Sequence, residues 1–227
     1  MTASNNQGRL PSPAQLLVMV ALALIGGASA GLGGLAFVPI GVIIGGVWGW
    51  GLSLIAGRIR SHERANTVLG GIALFLTAFC AIMVAGASLM GQLLSSAAMD
   101  AQPRFFADMI RGPIGFAEAL PFYTLNTAIE WLLLPMALLL SPKQSRARGL
   151  IVAALVVWTC HRTWTYVYFV PRIMLWSHGT APFTPAELTQ VRAWIDLSWL
   201  RQMCDDVVGA CLLASVFLRA RAPAQGQ

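Results

Sequence analysis

Six apolar stretches, each close to the length that crosses a lipid bilayer, constrain this chain more than any other feature of its sequence. A spanning helix needs roughly 20 predominantly apolar residues. Charged residues make up only 11% of the 227 positions, against about 25% in ordinary soluble domains. The sequence therefore predicts an all-α, polytopic membrane protein with six transmembrane helices, at residues 14–36, 37–57, 67–95, 119–140, 149–176 and 200–218.

These segments fall into two groups separated by a short basic loop. The first two form one Gly-rich hairpin, and the last four form a four-helix bundle with two long loops on its outer side. The predicted organisation is a tail at 1–13, the hairpin at 14–57, a basic loop at 58–66, the bundle at 67–219 with outer loops at 96–118 and 177–199, and a tail at 220–227.

Basic residues mark one side of the predicted membrane. Nine of the fifteen lie in short groups at that side, together with one acid, Glu63: Arg9, Arg58, Arg60, Arg64, Lys143, Arg146, Arg148, Arg219 and Arg221. By the positive-inside rule, both termini are cytoplasmic and the protein lies in the inner (plasma) membrane. Because the basic residues sit in clusters between apolar segments, the net charge of +6 indicates topology, and no nucleic-acid partner is expected.

A signal peptide is the alternative account of the N-terminus. Residues 16–25 resemble an apolar signal core, and Ala28-Ser29-Ala30 has the small-x-small form of a cleavage site. The apolar run continues well past that site, which favours a retained helix. Cleavage would leave the rest of the topology unchanged.

The second apolar segment carries a stripe of small residues at helical spacing. Gly41, Gly45 and Gly49 recur every four residues and allow another helix backbone to approach closely. The simplest interpretation is that the two hairpin helices pack on each other there. A homo-oligomer or a partner membrane subunit that docks on the same stripe is the alternative.

Each outer loop contains a helix signal. Residues 103–111 place Phe105, Phe106, Met109 and Ile110 on one side, which predicts a short amphipathic helix at the membrane surface. Thr184-Pro185-Ala186-Glu187 is a capping-box helix start. No helix breaker follows before Gly209, so this second helix is expected to continue into the last span.

Ionisable residues within the apolar segments carry the functional argument. Charges at bilayer depth are costly, and they usually face a polar interior that marks a functional pathway. His161 and Arg162 lie in the fifth segment, Glu130 in the fourth and Asp205 in the sixth. His161 is the side chain there whose ordinary pKa lies near neutrality. We therefore predict that His161, Glu130 and Asp205 are catalytic.

Further polar and aromatic residues share the helix faces that carry these three. Tyr123 and Asn126 lie on the face of the fourth segment that carries Glu130. The sequence predicts an outward-facing polar pocket for a small hydrophobic molecule between the fourth, fifth and sixth segments. Its predicted binding residues are Tyr123, Asn126, Arg162, Tyr166, Tyr168, Trp194, Arg201 and Asp206.

Other interpretations of the same residues stay open. Arg162 with Glu130, and Arg201 with Asp205, would be internal ion pairs that only hold the helices in register. No cofactor or metal is predicted, although His161 with two carboxylates would form a one-His, two-carboxylate set for non-haem iron or manganese. A non-catalytic assembly subunit and a small-solute transporter are the alternatives from other functional classes.

Two short motifs give a resemblance to a known family. Tyr168-Phe169-Val170-Pro171 stands at the outer end of the fifth segment, and Trp194-x-x-x-Ser198-x-x-Arg201 precedes the sixth. With the order of helices and loops over residues 68–219, these motifs resemble the anthrone-oxygenase-like family of four-helix membrane proteins. That family commonly has Asn where Ser198 stands. The resemblance implies a four-helix fold and cofactor-free oxygenation of a reduced polycyclic phenol to a quinone.

Overall fold

A computed structural model describes residues 11–112, 122–143 and 145–221, and every element of regular secondary structure within those ranges is helical. Two short 3₁₀ turns, Gly31–Gly33 and Leu35–Phe37, join the first two helices. The two ends of the chain, the rest of the first outer loop and the start of segment 119–140 lie outside the described residues. The helices are α1 Pro13–Ala30, α2 Val38–Arg60, α3 Glu63–Ala101, α4 Pro103–Arg111, α5 Phe122–Leu139, α6 Arg146–Ser177 and α7 Pro185–Ala220.

Five of these helices, α1, α2, α3, α5 and α6, are long and apolar enough to cross a membrane. The prediction of an all-α, multi-pass membrane protein is confirmed at that level. The sixth predicted span is not confirmed. Arg201, Asp205 and Asp206 interrupt the apolar stretch of α7, so its composition alone does not mark it as a membrane-crossing helix.

Several helices extend beyond the predicted segments. Only Ser61 and His62 separate α2 from α3, where the sequence predicted a loop over residues 58–66. Helix α3 has 39 residues and is about 58 Å long at 1.5 Å per residue. A hydrocarbon core is about 30 Å thick, so α3 projects well beyond it. Apolar composition ends at the bilayer surface, whereas helical hydrogen bonding does not.

The glycine stripe of α2 packs on α1. A Cβ atom at Gly45 would collide with the backbone carbonyl of Leu22, and one at Gly41 would collide with that of Gly26. A Cβ atom at Gly49 would lie 2.9 Å from Cα of Met19. The backbones of α1 and α2 therefore lie so close together that a side chain larger than glycine does not fit at these positions. The hairpin uses the stripe itself, as the simplest interpretation of the sequence predicted.

Helices α5 and α6 each contain one π-helical turn next to a proline. Residues Ile129–Leu133 form the turn in α5, and Thr165–Phe169 form the turn in α6. Proline lacks the backbone N–H that a helix would use to bond the carbonyl four residues earlier. In α5 that carbonyl belongs to Trp131, and the indole Nε1 of Trp48 in α2 donates to it at 2.6 Å. The hairpin is thereby joined to the bundle through a carbonyl that Pro135 leaves free.

The bundle surrounds a buried polar region. Helix α7 packs along both α3 and α6, α5 packs against α3, and α1 lies along α6. Buried Trp158 belongs to the main apolar core, and buried Phe169 and Trp194 belong to a second apolar cluster next to α4. The apolar surface that remains exposed is spread over α1, α2, α3, α6 and α7, as expected for helices that face lipid.

The end of the bundle opposite the described chain ends is covered by α4 and the first turns of α7. Phe106 of α4 is fully buried, with its ring 6.4 Å from that of Trp194. Arg111 Nε donates to the carbonyl of Trp176 at 3.0 Å, which fixes α4 to the end of α6. The predicted capping box is present, since Thr184 N donates to Glu187 Oε2 at 2.8 Å. Both predicted loop helices, at residues 103–111 and from Pro185 onward, are therefore present.

Candidate functional site

Glu130, Arg162 and Tyr166 form a closed hydrogen-bonded triad between α5 and α6. Arg162 Nε donates to one carboxylate oxygen of Glu130, and the Tyr166 hydroxyl donates to the other at 3.1 Å. A second nitrogen of Arg162 donates to the Tyr166 oxygen at 3.0 Å. Glu130 and Tyr166 both come from the π-helical turns, a feature that often occurs at functional sites.

This triad satisfies the polar groups of Glu130 internally. Its side chain is fully buried, and one carboxylate oxygen accepts from Arg162 while the other accepts from Tyr166. Because each oxygen already accepts a hydrogen bond and the residue does not line the cavity, the geometry favours the architectural interpretation of the Glu130 and Arg162 pair. Glu130, predicted from sequence as catalytic, lies behind the pocket rather than in its wall.

His161 and Asp205 meet across the contact between α6 and α7. His161 Nδ1 lies 3.5 Å from Asp205 Oδ1, and each residue is only 4% exposed. Neither of these two atoms makes a hydrogen bond among the described residues, so the contact between them is electrostatic. A carboxylate on Nδ1 orients the imidazole and stabilises its protonated form. His161 Nε2 then faces Thr165 Oγ1 at 3.4 Å, and both side chains border the cavity.

Arg201 directs its guanidinium into the same region. It lies over the ring of Phe169, 4.8 Å from the ring centroid, and 6.0 Å from that of Trp194. Within the described part of the chain, no carboxylate comes within 4 Å of it. Asp205, one helical turn further on, contacts His161 instead. Arg201 is therefore available to an electron-rich group of a bound molecule.

The cavity beside these residues has two lobes. The inner lobe, beside His161 and Asp205, has a volume of about 200 Å³. The outer lobe, next to α4, has a volume of about 180 Å³. Both are lined by Ser88, Phe122, Ile173, Trp194 and Arg201, so the lobes meet at these residues. Taken together they reach the range of small-molecule sites, about 300–1,000 Å³. Phe106, Met109 and Ile110 of α4 cover the outer lobe.

Most of the residues predicted for the site line the inner lobe, and three do not. Tyr168 stacks beneath Arg172, whose guanidinium lies 3.7 Å from the ring centroid. Asp206 is exposed and accepts a hydrogen bond from Gln202 at 2.8 Å, and Glu130 belongs to the triad. The predicted residues in the wall are Tyr123, Asn126, His161, Arg162, Tyr166, Trp194, Arg201 and Asp205.

Helix α3 contributes to the cavity, which the sequence analysis missed. Ser88 lies in the wall of both lobes, and Gln92 and Ser95 line the outer one. All three are buried, and they recur at helical spacing in an otherwise apolar helix. The polar face that Ser88, Gln92 and Ser95 form is the sequence signal that predicts a contact between α3 and the cavity.

The described residues contain no group of three or more His, Cys, Asp or Glu side chains arranged to hold a metal ion. The alternative iron or manganese set needed His161, Asp205 and Glu130 around one point. Glu130 instead bonds to Arg162 and Tyr166. The donor set proposed from the sequence therefore does not fit a metal in this arrangement.

No family model, curated protein or solved structure matches this chain. The likeness to the anthrone-oxygenase-like family therefore stays a prediction from short motifs. The two motifs do lie together in the fold, because Trp194 Nε1 donates to the carbonyl of Phe169 at 3.3 Å. That contact joins the outer part of α6 to α7 beside Arg201.

Proposed function

We propose that this protein is a membrane-embedded oxidoreductase that acts on a small hydrophobic, aromatic or quinone-like molecule. The observation that carries the proposal is the contact between His161 and Asp205 at the wall of a largely apolar cavity. A buried His and carboxylate dyad beside a cavity is the arrangement expected of a general base.

The chemistry assigned to the site begins with proton transfer. His161 Nε2 takes a proton from a phenolic or similarly activated substrate, and Asp205 stabilises the resulting imidazolium. Arg201 stabilises the negative charge that develops on the substrate oxygen. Molecular oxygen then oxidises the substrate anion, so that a methylene carbon becomes a carbonyl and one water is released. Asn126, whose buried Oδ1 has no hydrogen-bond partner among the described residues, is placed to orient the substrate.

The proposal also includes the topology of the chain in the membrane. In this proposal α7 is the sixth span of an inner-membrane protein, and both termini are cytoplasmic. The support is the basic character of the end of the bundle where α2, α6 and α7 carry Arg60, Arg148 and Arg219. A cysteine introduced at Ser145 is then labelled only from the cytoplasm, and one at Thr180 only from outside. The opposite pattern at either position excludes this topology.

Oxygen uptake by the purified protein tests the chemistry. With anthrone as the probe substrate, the wild-type protein is expected to consume oxygen. His161→Gln should lose about 10²–10⁴-fold in rate, the usual contribution of general acid–base catalysis. His178→Gln, which changes an exposed histidine at the end of α6, is the matched control and should retain the wild-type rate.

Two results would count against the proposal. Absence of oxygen uptake by the wild-type protein removes anthrone-like phenols from the substrate class. A folded His161→Gln variant with the wild-type rate removes His161 from the chemistry, whatever the substrate is.

A further inference from the structure

A second site lies at the basic end of the bundle, away from the cavity. Arg60 at the end of α2 and Arg148 in the first turn of α6 are both half-buried, and their positive charges lie close enough to repel each other. Arg60 Nε is buried and has no hydrogen-bond partner among the described residues. Two neighbouring cations in a poorly solvated position are unfavourable unless an anion lies between or beside them.

The chain offers few anions at this end. Of its nine acidic residues, Glu63 alone belongs to the predicted basic side, and it is exposed. In the described ranges no carboxylate lies within 4 Å of Arg60 or Arg148. Arg148 instead donates to the carbonyl of Ser141 at 2.8 Å, which leaves its positive charge uncompensated. An anion from outside the described residues would therefore compensate these charges.

A groove next to Arg148 has the shape and polarity of a lipid site. It lies between the first turns of α1 and the start of α6, with a volume of about 360 Å³. Lys143, Arg148 and Ser12 supply its polar rim, while Ala14, Leu17 and Val152 supply an apolar floor. Polar groups at one end and apolar side chains along the helices are the arrangement that accommodates a headgroup and the start of an acyl chain.

We infer that this groove binds an anionic phospholipid, with its phosphate beside Arg148 and Lys143, within reach of the positive charge of Arg60, and its acyl chain along Leu17 and Val152. Basic pockets between transmembrane helices bind acidic headgroups by the same combination of charge and burial. Lipid binding also fastens α1 of the hairpin to α6 of the bundle. The site is independent of the oxidoreductase chemistry proposed for the cavity.

Thermal unfolding in membranes of defined composition tests this inference. The purified protein is placed in phosphatidylcholine nanodiscs, with and without phosphatidylglycerol, and the unfolding midpoint is recorded. Phosphatidylglycerol should raise the wild-type midpoint by several degrees, because a ligand that binds only the folded state stabilises it. Inorganic phosphate at matched concentration should give a much smaller shift, since it lacks the acyl chain.

Arginine variants separate a built site from general surface charge. Arg60→Gln and Arg148→Gln should lose most of the phosphatidylglycerol shift. Arg58→Gln, which removes an exposed charge from the same end of α2, should retain it. In phosphatidylcholine alone, Arg60→Gln should not lower the midpoint, because it removes a repulsion and the Arg60 Nε makes no hydrogen bond to the described residues. Lys143→Gln, at an exposed rim position, tests the groove if either arginine variant fails to fold.

Three outcomes would overturn the inference. The first is an equal wild-type midpoint in the two lipid mixtures. The second is an equal phosphatidylglycerol shift in wild type, Arg60→Gln, Arg148→Gln and Lys143→Gln, which would assign the effect to bulk membrane charge. The third is a full shift with inorganic phosphate alone, which would make a free anion the ligand.

Discussion

Removing the carboxylate of Glu130 is expected to destabilise the fold strongly. Glu130→Ala deletes one bond from the Arg162 guanidinium and one from the Tyr166 hydroxyl. A hydrogen bond to a charged group contributes about 1.5–3 kcal/mol, and an ordinary one about 1 kcal/mol. The variant also leaves Arg162 charged and buried. The expected loss in the free energy of unfolding is therefore about 3–5 kcal/mol, the usual cost of breaking a buried ion pair.

The measurement is reversible unfolding in mixed micelles, titrated with sodium dodecyl sulfate. Asp100→Ala is the matched control, because it breaks an ion pair with Arg192 at 3.7 Å whose side chains are 76% and 58% exposed. That variant should cost less than about 1 kcal/mol. The double variant Glu130→Ala/Arg162→Met should recover most of the loss. Equal, small losses for Glu130→Ala and Asp100→Ala would refute the view that the triad is a buried structural element.

Three further predictions concern packing, a helix junction and pH. Gly45→Leu should cost about 1–3 kcal/mol of stability through overpacking against α1, whereas Gly46→Leu, whose Cβ meets nothing within 4 Å, should be tolerated; equal midpoints would mean that the hairpin does not pack this closely. Trp48→Phe should cost about 0.5–1.5 kcal/mol, because the Trp131 carbonyl loses its donor, and an unchanged midpoint would contradict this. Hydrogen bonds from the N-cap threonine lower the pKa of Glu187 below its ordinary 4.5, so the midpoint difference between wild type and Glu187→Ala should be complete above pH 4.5 and disappear as the pH falls through the lowered pKa; a difference that persists in acid would disprove the linkage.

Features that depend on periodicity could be predicted from the sequence. The glycine repeat of α2 correctly indicated a close approach to α1, because the spacing of four residues fixes one helix face. The Thr184 to Glu187 capping box correctly marked the start of α7, because its hydrogen bonds are local. Helical spacing also placed Asn126 and Tyr123 on the face of α5 that borders the cavity.

Features that depend on which helices are neighbours could not be predicted in the same way. The sequence did not distinguish between Asp205 bound to Arg201 and Asp205 facing His161, since that choice depends on the rotation of α7 against α6. The π-helical turn that carries Glu130 arises from the helix register around a proline and has no separate sequence pattern. The place of Ser88 in the cavity wall was not predicted, because Ser88 lies in a long apolar segment without charged residues.

The central claim is that the two-lobed cavity holds a small hydrophobic molecule, and its contents can be measured directly. Ile173 lines both lobes, so Ile173→Trp should fill the junction between them. Met174→Trp, at the neighbouring exposed position, is the matched control. Organic extracts of the purified proteins are compared by mass spectrometry. We expect an aromatic or quinone-like compound in stoichiometric amount with the wild-type protein and with Met174→Trp, and its loss from a folded Ile173→Trp. Extracts that are identical for all three proteins would contradict the assignment of the cavity as a binding site.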